Sequence, residues 1–134
     1  TRTWEVLQHI GLAEKAQVFA SMLPHGDKRK LDIGILLASD PQVLLLDEPT
    51  AGMASEQVPH LMALIAQVRQ QGNKTILLVE HNMDVVMNVS DAITVMHYGN
   101  VLAEGTPAEI AANEEVQRAY LGETHRTLGV KREA

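Results

Sequence analysis

The 134-residue chain contains no cysteine, which excludes disulfide bonds and cysteine-ligated metal sites. Only 3% of its residues are aromatic while 46% are hydrophobic, so its core has to be built from aliphatic side chains. The formal net charge of −6 argues against a nucleic-acid partner. No apolar run approaches the roughly 20 residues that a membrane span requires. The composition therefore predicts a globular domain, or part of one, with an aliphatic core.

Two short apolar runs predict a pair of buried strands. They are "VLLLD" at residues 43–47 and "TILLVE" at residues 75–80. Continuous apolar character is typical of parallel strands that are covered on both faces. Between them, a helix capped by Ser55 and running to about Gln71 is predicted, with Gly72 at its end. Strand, helix and strand at this spacing predict one right-handed parallel crossover unit.

The flanking segments predict further short elements. Apolar spacing indicates two short helices around Gly11 and a longer helix from Lys28 to Ala38. A short helix at residues 83–89 precedes a β-hairpin closed by Gly99 and Asn100. The stretch "TPAE" at residues 106–109 has the form of a capping box and predicts a helix start. Residues 125–134 are predicted to be a loose tail.

Polar side chains follow both predicted strands directly. Asp47 and Glu48 end the first strand, and Glu80 and His81 end the second. Because the carboxyl ends of parallel strands face the ligand crevice, these residues are expected to converge on one site. Two adjacent carboxylates after a buried run repel each other and lose solvation, which a bound cation would relieve. We expect Glu80 alone to turn simply into solvent.

The segments that end the two predicted strands resemble motifs of a known protein family. "LLLDEPTAGM", followed about thirty residues later by "VEHNMD", is similar to the ATP-binding subunit of ATP-binding cassette (ABC) transporters. The resemblance implies that Asp47 holds Mg²⁺ through water, that Glu48 activates the attacking water, and that His81 contacts the γ-phosphate. It further implies a D-loop at Ala51, Gly52, Met53 and Ala54, where alanine replaces the usual aspartate.

The ABC signature loop is matched less closely. Its positions fall on Leu23, Pro24, His25, Gly26 and Asp27, which depart from the usual Leu-Ser-Gly-Gly-Gln at three of five positions. In the family this loop serves the ATP held by the opposite subunit. Gly26, placed before a predicted helix, would allow close backbone approach to an anion. Asp27 would oppose a phosphate unless Lys28, Arg29 or Lys30 offsets its charge.

The resemblance implies an α/β fold class: part of a P-loop NTPase (RecA-like) parallel sheet flanked by helices. It assigns residues 1–39 to a remnant of the ABC helical subdomain, residues 40–124 to the C-terminal half of the ATPase core with a β-hairpin and short helices, and residues 125–134 to the tail. Longer stretches, "GNVLAEGTPAEI" and "VQRAYLGE", are similar to bacterial branched-chain amino acid importer ATPases. The cofactors implied are ATP and Mg²⁺.

The same resemblance implies partners and a location. A second ATPase subunit and transmembrane permease subunits are expected, with a periplasmic or extracellular solute-binding protein acting indirectly and no nucleic acid. The subunit would be cytoplasmic and peripheral on the inner face of the bacterial cell membrane.

The phosphate-binding P-loop is not found, because no lysine of the chain follows a glycine. "GNKT" at residues 72–75 leads into a strand rather than a helix. The sequence, which also lacks an initiator methionine, is therefore expected to be a fragment of a longer domain and inactive alone. A strand left unprotected at the sheet edge is expected to promote self-association. Two alternatives stay open: a soluble, non-transport ABC ATPase, and a non-catalytic interaction domain that has lost its nucleotide site.

Overall fold

The computed structural model describes residues 1–121, which divide after Val85 into two compact units. The predicted tail therefore lies outside the described residues. The helices are α1 (Arg2–His9), α2 (His25–Ala38), α3 (Val58–Gln70), α4 (Met83–Val89), α5 (Pro107–Ala112) and α6 (Glu114–Val116). The strands are β1 (Val43–Asp47), β2 (Thr75–Val79), β3 (Ile93–His97) and β4 (Asn100–Gly105). In the described part of the chain, no helix has the length and apolar character of a membrane span.

In the first unit, β1 and β2 pair in parallel, as predicted. Val43 lies opposite Thr75 and Asp47 opposite Val79, so the two strands end at the same level. Leu44 and Leu46 of β1 are buried in one cluster with α3 residues Leu61 and Leu64. This packing of the crossover helix on one sheet face fixes the register, because a slip of one residue would turn the apolar set away from the core.

The prediction that both sheet faces are covered is wrong for this chain. Burial alternates along β1, and the side chains of Val43, Leu45, Leu77 and Val79 form an exposed apolar face, here called the open face. Leu45 is 68% exposed and Leu77 is 57% exposed. The described helices cover only the face that Leu44 and Leu46 occupy. The apolar run thus predicts strands correctly but does not reveal which elements cover them.

The N-terminal segment contains less helix than predicted before residue 25 and more after it. The second short helix around Gly11 is replaced by two short 3₁₀ turns, Ala13–Lys15 and Ala20–Met22. Helix α2 begins at His25, three residues earlier than expected, so His25 and Gly26 lie in its first turn. Asp27 also lies in that turn, where a negative charge complements the helix dipole.

Two further helix starts were predicted, one wrongly and one correctly. Helix α3 does not begin at Ser55, because its N-cap is Gln57, which makes no side-chain capping bond. Pro59 in the first turn marks that start, as proline favours this position. At α5, by contrast, the capping box is confirmed. The Glu109 amide donates to Thr106 Oγ1, and the Thr106 amide donates to Glu109 Oε2 at 2.8 Å.

Lys74, the lysine of "GNKT", is a structural residue in the first unit. Its side chain is only 6% exposed, and its ammonium donates to Asp40 Oδ1 at 2.7 Å and to the Pro41 carbonyl at 2.9 Å. The hydrogen bond and charge of Lys74, with a smaller contribution from Arg2, hold the pKa of Asp40 below its ordinary value. Lys74 thus joins the turn before β1 to the start of β2.

The second unit contains the predicted hairpin. Its turn residues are Tyr98 and Gly99, one position earlier than predicted, and both have positive φ (48° and 78°), as a type I′ turn requires. Ile93, Val95, Ile110 and Val116 form the buried cluster of this unit. The Tyr120 hydroxyl donates to the Met96 carbonyl at 2.7 Å and ties the last described turn to β3.

Candidate functional site

The end of β1 places two carboxylates in different backbone settings. Asp47 is the last residue of the strand, and Glu48 turns sharply with φ 43°, in the left-handed region that non-glycine residues rarely adopt. The Glu48 amide donates to the Val79 carbonyl at 2.8 Å, and the Glu48 carbonyl accepts from the Ala51 amide at 3.0 Å. These backbone bonds fix the direction in which the Glu48 side chain leaves the sheet.

The structure brings Glu48 and His81 together, as the strand ends predicted. His81 Nδ1 lies 3.4 Å from Glu48 Oε1, at the long end of the hydrogen-bonding range. Both side chains are open to solvent, with His81 72% and Glu48 48% exposed. A carboxylate and an imidazole that lie this close can act jointly on a water or an anionic group that approaches both of them from the solvent side.

The surroundings of Asp47 determine whether it can bind Mg²⁺. Its carboxylate is exposed and makes no hydrogen bond or ion pair within the described residues, so it is free to accept a ligand. Across residues 1–121, no group of three or more histidine, aspartate or glutamate residues could hold a metal alone. Mg²⁺ is usually bound by one or two carboxylates together with water and substrate phosphates. Asp47 therefore fits an ion that arrives with a nucleotide, but not a preformed metal cage.

The predicted signature-like loop lies against the predicted D-loop. His25 Nε2 is 3.2 Å from the Ala51 carbonyl oxygen, so this ring nitrogen carries the proton when it donates there. A Cβ on Gly52 would lie 3.2 Å from the same nitrogen, and one on Gly26 would lie 2.7 Å from Gln57 Cδ. Gly52 thus permits the close approach of the two segments, whereas Gly26 faces the side chain of Gln57 at the start of α3.

The remaining residues of these two segments have varied surroundings. The Leu23 side chain is buried in the core, whereas Pro24 is exposed and forms the N-cap of α2 without a side-chain bond. Asp27 pairs with Lys15 and, at 3.9 Å, with Lys30. Of the three cations expected to offset Asp27, Lys30 does so, and Lys15 was not foreseen. In the D-loop, Met53 packs on the core and Ala54 is exposed.

Glu80 is the site residue whose role the sequence did not indicate. Instead of turning into solvent, its carboxylate accepts the Thr50 amide at 3.0 Å and the Thr50 hydroxyl at 2.5 Å. Thr50 itself is buried. The position of Glu80 directly after β2 indicated proximity to the other strand end, but nothing in the sequence specified Thr50 as its partner.

Two family models match this chain. A model described as "ABC transporter" matches residues 1–51, which include the end of β1 and Glu48. A second, described as "Branched-chain amino acid ATP-binding cassette transporter", matches residues 100–126. The first match contains Asp47 and Glu48, and the second contains "VQRAYLGE" and most of "GNVLAEGTPAEI", whereas "VEHNMD" lies in neither match.

Curated relatives agree with these matches. The chain is 49% identical over 121 residues to the high-affinity branched-chain amino acid transport ATP-binding protein LivG of Salmonella typhimurium, covering 90% of this chain and 47% of that protein. It is 44% identical over 117 residues to BraF of Pseudomonas aeruginosa, a protein of the same description, covering 87% and 46%. The chain thus spans about half the length of the curated relatives it matches.

The fold is shared with solved ATP-binding cassettes. The crystal structure of the ADP conformation of MJ1267, an ATP-binding cassette of an ABC transporter, superposes with a TM-score of 0.80 at 26% identity, covering 90% of this chain and 49% of that one. This likeness confirms the predicted fold class, a partial α/β nucleotide-binding fold with a parallel sheet and flanking helices. The family models, the curated relatives and the shared fold thus agree that this chain is similar to ABC transporter ATP-binding proteins over most of its length.

Proposed function

We propose that this chain provides the hydrolytic side of the nucleotide site in the ATPase subunit of a bacterial branched-chain amino acid importer. The observation that carries the proposal is the pairing of Glu48 and His81 at the ends of two parallel strands. Glu48 Oε1 and His81 Nδ1 lie 3.4 Å apart. The importer class is supported by 49% identity to LivG and by the branched-chain transporter model over residues 100–126. ATP would close two such subunits, and hydrolysis would reopen them and drive solute uptake.

Asp47 and Glu48 divide the work at the end of β1. Asp47 would hold Mg²⁺ through water, and the ion would neutralise charge on the transferred phosphoryl group. The adjacent Glu48 would orient the attacking water and accept its proton. The left-handed turn at Glu48 supports this division, because it gives the two neighbouring carboxylates different exit directions from the strand.

His81 would contact the γ-phosphate from the neighbouring strand. Its exposed ring is free to turn from Glu48 toward an incoming anion, because the 3.4 Å contact is weak. An imidazole N–H can donate to a phosphate oxygen in either the neutral or the charged form. With the ring turned away from Glu48, the two side chains would lie on either side of the water and the phosphoryl group.

The signature-like loop would serve the ATP of a second ATPase subunit. Helix α2 begins at His25, and its N-cap Pro24 offers no side-chain acceptor to the amides of the first turn. Such amides, together with the helix dipole, favour an anion. The neighbouring D-loop, Ala51–Ala54, would lie at the same subunit boundary, since His25 contacts Ala51.

The permease subunits and the cytoplasmic membrane face complete the proposed assembly. Copurification of the chain with a membrane permease would favour transport over a soluble ABC ATPase. The intact set of Asp47, Glu48 and His81 weighs against an interaction domain that has lost its nucleotide site.

Metal and nucleotide binding can be tested on the purified chain with Mn²⁺-ATP. Amides near Asp47 and Glu48 should broaden in NMR spectra, because the paramagnetic ion relaxes nearby nuclei. Asp47→Asn should abolish this broadening. Asp32→Asn is the matched control, since Asp32 is an exposed α2 carboxylate whose partner is Arg29. Unchanged broadening in Asp47→Asn would contradict the assignment of the metal ligand.

The same preparation tests the expected inactivity of the chain alone. We expect no turnover of Mg²⁺-ATP above background, because Glu48 can activate water but no P-loop lysine holds the phosphates. Measured phosphate release that disappears in Glu48→Gln would contradict this expectation. Phosphate release that persists in Glu48→Gln would indicate a contaminating ATPase.

A further inference from the structure

Glu80 lies directly after β2 and binds the loop that follows β1. One oxygen, Oε1, accepts both the Thr50 amide at 3.0 Å and the Thr50 hydroxyl at 2.5 Å. A single carboxylate oxygen that takes two donors from one residue fixes both the position and the χ1 angle of that residue. Thr50 is buried, so water does not compete freely for these donors.

Thr50 lies two residues after Glu48, whose backbone is strained. A non-glycine residue in the left-handed region persists only where its surroundings over-determine it. Two backbone bonds act on Glu48 directly, from its amide to Val79 and from the Ala51 amide to its carbonyl. The Glu80–Thr50 pair is the side-chain contact that holds the same turn from the neighbouring strand.

We infer that Glu80 is a positioning residue that maintains the left-handed turn at Glu48 and thereby aims the Glu48 carboxylate toward His81. Within residues 1–121, the hydrogen bonds of the Glu80 carboxylate come from Thr50, so Glu80 acts on Glu48 through that residue. That the aimed Glu48 carboxylate serves ATP hydrolysis rests on the proposed function, whereas the role of Glu80 in holding the turn does not. Glu80 thus ties the two strand ends together, in addition to the β1–β2 ladder.

The second carboxylate oxygen of Glu80 makes a substitution test possible. Oε2 is buried and has no hydrogen-bond partner among the described residues. In Glu80→Gln the amide oxygen can still accept from Thr50, and the NH₂ group takes the place of the unpartnered oxygen. Glutamine should therefore preserve the turn. Glu80→Leu has a similar volume but no acceptor, and it should release the turn.

The test reads the backbone of Glu48 by NMR on the full chain without nucleotide. A positive φ brings the amide proton close to the Hα of the same residue. The intraresidue HN–Hα cross-peak of Glu48 in a NOESY spectrum should therefore be strong in the parent chain. We expect Glu80→Leu to lose this strong cross-peak and Glu80→Gln to keep it. Thr50→Val, which removes only the hydroxyl donor, should weaken it. If Glu80→Leu does not fold, Thr50→Val decides.

Glu104→Ala is the matched control, because Glu104 Oε1 accepts the Thr94 hydroxyl at 2.9 Å on the hairpin, far along the chain from Glu48. It removes a glutamate–threonine bond of the same kind and should leave the Glu48 cross-peak strong. A strong Glu48 cross-peak in Thr50→Val, equal to that of the parent, would overturn the inference. Since no nucleotide is used, failure of the proposed ATPase chemistry would leave this result unchanged.

Discussion

Gly52→Ala tests the contact between the signature-like loop and the D-loop. Gly52 has φ 72°, and a Cβ there would lie 3.2 Å from His25 Nε2. The same nitrogen faces the Ala51 carbonyl at 3.2 Å, so the added methyl group competes with this hydrogen bond for the position of the ring. The substitution therefore combines backbone strain with displacement of His25.

A matched variant separates the cost of backbone strain at Gly52 from the cost of displacing His25. Alanine in the left-handed region costs about 1–2 kcal/mol. Reduced freedom of the unfolded chain offsets about 0.4–1 kcal/mol of that cost. Gly11→Ala should show the same backbone strain and the same unfolded-state effect, because Gly11 also has φ 72°. It should show no further cost, because a Cβ on Gly11 would meet nothing within 4 Å. Loss of the His25 bond should cost Gly52→Ala a further 0.5–1.5 kcal/mol or so in the free energy of unfolding.

The assay is urea unfolding followed by the fluorescence of Trp4, the single tryptophan, which lies in α1 of the same unit as both glycines. In a His25→Ala background the extra cost of Gly52→Ala should vanish, leaving the two glycine variants equal. Equal destabilisation by Gly52→Ala and Gly11→Ala in the parent chain would refute the contact. An excess that survives in His25→Ala would assign it to another neighbour.

Three further outcomes are expected. Leu61→Ala should lower the free energy of unfolding by about 2–5 kcal/mol, because Leu61 is 0% exposed. Leu45→Ala on the open face should change it by less than about 0.5 kcal/mol. Urea titration measures both changes. The open face should also cause concentration-dependent self-association, which sedimentation velocity would detect and Leu45→Lys should reduce; a monomer at all concentrations would count against it. Hydrogen bonds from the Thr106 backbone and hydroxyl lower the pKa of Glu109, so this stabilisation is present above the ordinary glutamate value of about 4.3 and is lost as pH falls through the lowered pKa. Thr106→Ala should raise that pKa in an NMR titration, and an unchanged value would contradict the capping role.

Local patterns allowed much of the fold to be predicted. The parallel pair, the hairpin and the capping box each depend on a few neighbouring residues, namely an apolar run, a turn that tolerates positive φ, and Thr106 with Glu109. The start of α3 was misplaced because Ser55 resembles a cap, while Pro59 carries the stronger geometric restriction. The exposure of Leu45 could not be read locally, because burial depends on which elements cover each face.

At the site, the convergence of Glu48 and His81 follows from the parallel register, which apolar runs predict well. The contacts of His25 with Ala51 and of Glu80 with Thr50 join loops distant in sequence. Such contacts depend on backbone turns that short-range patterns do not encode. Sequence therefore predicted which strand ends lie side by side at the candidate site, but not which side chains hold its loops in place.

The hydrogen bond from the Glu48 amide to Val79 has a dynamic consequence. It is one more rung of the β1–β2 ladder, placed just beyond the last residue of the strand. A fluctuation that separates the two strands would break this rung and carry Glu48 away from His81 in the same event. Hydrogen–deuterium exchange at the Glu48 amide would therefore measure, on one proton, both the opening of the sheet and the lifetime of the assembled site.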